Sequence, residues 1–246
     1  MKLERCPSGI PGFDGLCEGG FIRDKSYLIS GTSGTGKTIF ALQFIVNGAL
    51  EYNEPGIFIA TEERPQNIRE YASTFDWDLE KLEDENMIAL VDATSTKIGL
   101  PSDEKYVDIR PFDTRSLLDQ VISIQDEINA KRCVVDSTTA IGFMINDVSK
   151  FRIELLKMST TFEILGLTSL LTCEIVEGSP AISRFGVENF VTEGAIVLRF
   201  ERSGNVRIRT LEIVKMRGTK HSYKIHPFDI TDKGIVVYAE EAIPGF

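Results

Sequence analysis

The chain has 246 residues, with 27 Lys+Arg against 37 Asp+Glu for a formal net charge of −10, and 42% of it is hydrophobic. That apolar share supports a sizeable core and argues against disorder, and one α/β domain over residues 1–246 fits a length that no linker-like stretch divides. The acidic balance disfavours nucleic acid as a partner unless basic residues are locally concentrated; no apolar run approaches the roughly 20 residues of a membrane helix, and Met1 to Arg5 leads into CysProSerGly without the apolar core of a leader, so a cytoplasmic protein is expected.

Residues 1–24 are rich in Gly and Pro and predict turns with a few apolar anchors packing on the core, rather than regular structure. Tyr27 to Ser30 reads as a short strand, and Lys37 to Leu50 as a helix with Ile39, Leu42, Ile45, Val46 and Ala49 at helical spacing. Gly56 to Ala60 is a second strand, Pro65 opens a helix through Thr74, and Met87 to Val91 is a third strand. Leu117, Val121, Ile124 and Ile128 put one apolar face on Thr114 to Asn129, ahead of a strand at Cys133 to Asp136. Phe151, Leu155, Met158, Phe162 and Leu165 form another stripe, ahead of Leu167 to Cys173.

Such alternation predicts a mostly parallel sheet flanked by helices on both faces. In the last third, Ala195 to Phe200, Val206 to Lys215 and Gly234 to Tyr238 follow one another without helices and predict an antiparallel C-terminal extension at one sheet edge. Cys6, Cys17, Cys133 and Cys173 show neither a CxxC pair nor His neighbours at ligand spacing, which argues against zinc. Cys133 and Cys173 read as buried thiols; pairing of Cys6 with Cys17 would need an oxidising or thermophilic setting.

The residues Gly31, Thr32, Ser33, Gly34, Thr35, Gly36, Lys37 and Thr38 satisfy GxxxxGK[ST], and they stand between a strand and an apolar-periodic helix, the context that motif requires. Glycines let the backbone wrap a phosphate without Cβ clashes, while loop amides and the helix N-terminus offer donors and positive partial charge. Lys37 supplies a point charge for the β- and γ-phosphates, and the Thr38 hydroxyl a ligand for Mg²⁺. ATP or ADP with Mg²⁺ is therefore the expected ligand set.

Asp136 ends an apolar strand, where parallel sheets place ligand-contacting groups, and is expected near the metal without necessarily touching it; the alternative is an Asp that caps the next loop. Glu62 and Glu63 follow the second strand and emerge at the same edge. Neighbouring side chains on extended backbone point opposite ways, so one of the two is expected to polarise the attacking water, or else the pair is a solvated acidic turn. Lys215, Arg217, Lys220 and His221 concentrate positive charge in an acidic chain. They can reach a γ-phosphate bound by a neighbouring subunit, lie in a solvated turn, or meet DNA phosphates; the pattern leaves all three open.

Together these motifs resemble the KaiC branch of the RecA-like ATPases, the family of the cyanobacterial circadian clock ATPase. The resemblance spans nearly the whole chain. It rests on SerGlyIleProGlyPheAspGlyLeu (8–16), the Gly31–Thr38 loop, Glu62 and Glu63, PheAspTrpAsp (75–78) and ValValAspSer (134–137). It continues through SerArgPheGlyValGluAsnPheVal (183–191), LysMetArgGlyThrLysHis (215–221) and ProPheAspIleThrAspLysGlyIle (227–235). It implies a RecA-like core, a homohexameric ring with ATP between subunits, and a catalytic glutamate pair. By the same resemblance Lys215, Arg217, Thr219 and His221, with Thr231 and Asp232, approach the nucleotide of the adjacent protomer, and Thr74 lies near the base.

This sequence departs from the clock protein in having one such domain in place of two. It also carries Asn189 and Phe190 where the clock protein's second domain has its phosphorylated Ser-Thr pair, so an autokinase cycle is not expected. A nucleotide-switched ring acting on an unidentified protein partner is the leading expectation. A DNA-binding recombinase relative and a nucleotide-binding scaffold with little hydrolysis are the alternatives.

Overall fold

The computed structural model describes residues 3–240 apart from 109, 111, 112 and 204. In place of turns alone, the N-terminal segment forms a two-residue antiparallel ladder, β1 (Arg5–Cys6) on β2 (Phe21–Ile22). The Gly/Pro-rich stretch between them is closed by Asp14, whose carboxylate accepts the Ser8 N–H at 2.9 Å. The alternating core follows as β3 (Ser26–Gly31), α1 (Lys37–Tyr52), β4 (Gly56–Ala60), α2 (Pro65–Ser73), α3 (Leu79–Asp84) and β5 (Ile88–Asp92). Then come β6 (Tyr106–Val107), α4 (Thr114–Ile128), β7 (Arg132–Asp136), α5 (Thr138–Ile145), α6 (Val148–Ile164), β8 (Thr168–Glu174) and α7 (Glu188–Val191). The chain closes with β9 (Gly194–Ser203), β10 (Val206–Met216), β11 (Ile225–Thr231) and β12 (Gly234–Val237).

Ten strands form one sheet in the order β12-β11-β10-β9-β3-β8-β7-β4-β5-β6. From β9 to β6 every pairing is parallel, and from β9 to β12 every pairing is antiparallel. The strand expected at Ala195 to Phe200 therefore belongs to the parallel core, in register with β3, and the antiparallel extension starts one strand later. Strand β11 escaped the alternation pattern because Pro227 interrupts it. Pro227 is tolerated there because the position uses only its carbonyl, which accepts the Tyr238 N–H at 2.9 Å.

Strand alternation divides the core. Tyr27, Ile29, Phe58, Val134, Leu170 and Ile196 face α1, whereas Leu28, Ile57, Ile59, Cys133, Val135 and Leu171 face α4 and α6. Helix α1 is buried nearly all round, because the N-terminal segment covers its outer side: Phe13 meets Phe40 and Phe21 meets Phe44 edge-on, with centroids 5.4 and 5.7 Å apart. Contacts of this kind contribute about 1 kcal/mol each beyond area burial. All four cysteines are free and buried, so Cys6 and Cys17 are not bridged.

Parallel strands share a direction, so one edge of the sheet collects the C-terminal ends of β3, β4, β5, β7 and β8. Gly31, Thr61, Asp92, Asp136 and Glu174 all stand there.

Candidate nucleotide site

Gly31 leaves β3 where an added Cβ would lie 2.5 Å from Thr35 Oγ1 and 2.6 Å from the Leu198 carbonyl, so this turn closes only around glycine. Gly34 (φ +75°) and Gly36 (φ +104°) take left-handed backbone that bends the loop into a cradle. Thr35 Oγ1 and Lys37 Nζ both donate to the Thr32 carbonyl, at 2.9 and 3.0 Å. Gly36 caps α1 without a side chain, which leaves the first-turn amides directed into the loop. Burial pushes the Lys37 ammonium below its ordinary pKa, against the opposing pull of Glu174 and Asp136. An anion in the cradle would reverse that cost.

Thr38 donates its proton to Asp136 Oδ2 at 2.8 Å, which leaves the lone pairs of its oxygen available to a cation. Asp136 Oδ1 accepts from Thr172 Oγ1. Burial raises the Asp136 carboxyl above its usual range, with the two hydroxyl donors working the other way. The Asp136–Ser137 peptide is cis, and Ser137 is held by Thr61, whose hydroxyl bridges its N–H (2.7 Å) and carbonyl (2.8 Å). The Ser137 hydroxyl is buried without a hydrogen-bond partner and lies by the Glu62 carboxylate. A glycine cradle, a hydroxyl committed to a carboxylate and an orphaned buried hydroxyl together fit a triphosphate with Mg²⁺, an ion that needs few protein ligands. Among the described residues, no group of three or more His, Cys, Asp and Glu could hold a metal by itself.

The two adjacent glutamates diverge. Glu62 is exposed, yet partial burial raises its carboxyl; Glu174 and Asp136 add to the rise, while the Ser137 hydroxyl and Lys97 oppose it. Glu63 accepts from Asn67 Nδ2 at 3.1 Å on the first turns of α2. Glu62 thus faces Glu174, Asp136 and Lys97, whereas Glu63 is tied to α2 while its charge still acts on Asp136. Glu174, Lys97, Thr172 and Ser137 escaped sequence reasoning. Glu174 ends an apolar strand in the same way as Asp136, so its signal was present; Lys97 lies in an unpatterned loop and gave none.

The basic segment stands elsewhere. Lys215 pairs with Ala195, which is in register with Leu28, whereas Gly31 is in register with Leu198 and, through it, Leu211. Three residues of the paired strands therefore separate Lys215 from the level of its own loop, about 10 Å, toward the opposite edge, with a bulge between Ile213 and Lys215 taking up one more residue. Lys215 Nζ donates to the Asn189 and Thr192 carbonyls at 2.5 and 2.6 Å, and Arg217 to Glu193 at 3.3 Å. Thr219 accepts from Arg5 at 2.7 Å, and His221 Nδ1 lies 2.8 Å from the Ser222 carbonyl. Thr231 and Asp232 stand at the turn that joins β11 to β12. They turn back at the carboxyl edge beside the loop of their own chain, where Ile230 would sit 3.1 Å from a Cβ on Gly36. Thr74, whose hydroxyl donates to the Tyr71 carbonyl at 2.7 Å, ends α2 close to this turn: Lys233 pairs with Asp76 at 2.5 Å.

A parallel sheet whose inner strand feeds a glycine loop into a helix, with a hydroxyl–carboxylate pair beneath that loop, defines a RecA-like P-loop protein. The family profile described as "ATPase: KaiC" matches residues 6–242, and the chain belongs to that ATPase family. It is 40% identical to a UPF0273 protein of Methanocaldococcus jannaschii, over 98% of this chain and 99% of that one. It is 38% identical to the circadian clock oscillator protein KaiC of Prochlorococcus marinus subsp. pastoris, over 97% of this chain but 46% of that protein, so it spans about half the length of the clock relatives. The crystal structure of a KaiC-like protein from Pyrococcus horikoshii OT3 superposes with a TM-score of 0.83 at 40% identity, covering 96% of this chain and all of that one.

Proposed function

We propose that the chain binds ATP with Mg²⁺ at Gly31–Thr38 and hydrolyses it, Glu62 taking the proton of the attacking water. The observation that carries this reading is the Thr38–Asp136 contact of 2.8 Å beneath a glycine cradle, with Glu62 opening at the same sheet edge. When bound, Mg²⁺ neutralises charge on the β- and γ-phosphates. Lys37 would offset negative charge on the β- and γ-phosphates, and Thr38 and Asp136 would hold the cation. Glu62 accepts a water proton as that oxygen bonds to the γ-phosphorus, and the bond to the bridging oxygen breaks to leave ADP.

The location of Lys215, Arg217, Thr219 and His221 away from their own loop supports a role in trans, completing the site of an adjacent protomer in a homohexameric ring. Thr231 and Asp232 would serve the nucleotide of their own chain, with Thr74 near the base. Such a cytoplasmic ring would switch its grip on a protein partner with the nucleotide state.

Replacing both Glu62 and Glu63 by Gln is expected to leave ATP binding within about twofold and to abolish phosphate release. Undiminished turnover in the double variant removes the role given to the carboxylates. One observation favours nucleic acid as a second reading: Arg207 and Arg209 stack on Phe200, at 4.3 and 4.7 Å, in an otherwise acidic chain. A DNA-stimulated rate with steep salt dependence would support it.

A further inference from the structure

The loop after β5 has no part in the reading above, yet it is fastened to the glutamate pair. Asp92, at the end of β5, accepts the N–H groups of Thr94 and Ser95, both at 2.9 Å, and the Ser102 hydroxyl at 2.6 Å, which closes the loop on its own strand. Thr94 Oγ1 then lies 3.0 Å from both the Ala60 and the Glu63 carbonyls, stitching the loop to the backbone that carries Glu62 and Glu63. Three residues on, Lys97 donates from Nζ to the Thr61 carbonyl at 3.2 Å, the residue immediately before Glu62. A long, flexible side chain is thus held with its charge at the root of the glutamate.

We propose that Lys97 is a positioning residue for hydrolysis, its ammonium seated on the Thr61 carbonyl so that it faces the Glu62 carboxylate and fixes it toward the cleft. This rests on Glu62 being the residue that activates water. Four charged groups face Glu62: Glu174 from β8, Asp136 from β7, Lys37 from α1 and Lys97 from this loop, with the Ser137 hydroxyl alongside. Lys37 is committed to the phosphate loop. That leaves Lys97 as the cation that offsets Glu174 and Asp136, and the two charges act on each other: burial lowers the Lys97 ammonium and Glu62 pulls it back up.

Taking the cation away raises the Glu62 carboxyl further, so the acid limb of kcat moves to higher pH.

The test compares Lys97→Ala, Lys97→Met and Lys97→Arg with the wild type in kcat for Mg²⁺-ATP across pH, in ATP affinity and in melting temperature. Lys97→Ala and Lys97→Met are expected to lose about 10- to 100-fold in kcat, to hold ATP affinity within about twofold, and to shift the acid limb upward. Lys97→Arg is expected to restore both rate and limb, which a packing role would not predict.

An unchanged rate and limb in the folded Ala and Met variants overturns the proposal, and so does a loss confined to ATP affinity, which would make Lys97 a phosphate ligand. Should Ala fold poorly, the Met variant, which keeps the apolar stem, decides between the same outcomes. Glu62→Gln run in parallel separates the two readings: if it turns over normally, the role of Glu62 fails, whereas normal Lys97 variants beside a dead Glu62→Gln sink only the positioning role.

Discussion

At the scale of single residues, the site stores electrostatic cost where chemistry needs it. Burial raises Asp136, so the ionised carboxylate is disfavoured in the ligand-free fold. A group raised in this way leaves stability intact below its unfolded value and erodes it as pH climbs through the folded value. Asp136→Asn removes that erosion. We predict that the ligand-free Asn variant melts no lower than wild type at neutral pH, while losing the rise in melting temperature that Mg²⁺-ATP gives. A ligand-free loss of more than about 2 kcal/mol at neutral pH would instead make Asp136 a structural hydrogen-bonding residue. Residues of this kind were legible to different degrees. The Gly31–Thr38 loop and Asp136 follow from strand-end position and motif, but Lys97 and Ser137 are brought to the site by contacts that tertiary folding alone creates.

Elements were legible where period and length agreed. Strand β4 falls on the expected residues, and α1, α4 and α6 carry the apolar stripes read from the chain. Helix α5 was missed because eight residues of mostly apolar character look alike as helix or buried strand. Also unread was the polar core beneath the sheet, since buried charge contradicts the hydrophobic pattern. There Arg132, wholly buried at the start of β7, donates to Glu54 at 2.7 Å and to the Phe44 carbonyl at 2.8 Å, and Arg23 reaches Glu54 at 2.5 Å. Gly48 makes room: a Cβ there would lie 2.5 Å from the guanidinium. Burial would raise Glu54, but the two arginines prevail and hold it below its usual value. Its stabilisation is therefore complete above the ordinary glutamate range and lost on acidification through the folded value. Arg132→Met is expected to lower stability by about 3 kcal/mol at neutral pH, because Glu54 loses its buried partner, and by less in acid. Equal losses at both pH values in denaturant titrations would refute the electrostatic account.

Across the whole molecule, one feature of topology sorts the candidate residues. The parallel strands deliver the phosphate loop, Glu62, Asp136 and Glu174 to the carboxyl edge, whereas the antiparallel return of β10 carries Lys215 and Arg217 to the other. Strand direction was readable from the sequence only as far as the switch in pattern, and the level of each residue needed the register. On the function proposed above, such a chain would need a neighbour's Lys215 and Arg217 to complete its site. Phosphate release from mixed variants tests this most directly. Lys37→Ala chains, unable to bind nucleotide, and Arg217→Ala chains, unable to assist a neighbour, are each expected to be inactive, and a mixture is expected to regain part of the rate through sites pairing an intact loop with an intact arginine. A mixture that stays inactive at every ratio, or an Arg217→Ala chain that hydrolyses ATP at the full rate alone, would contradict the account.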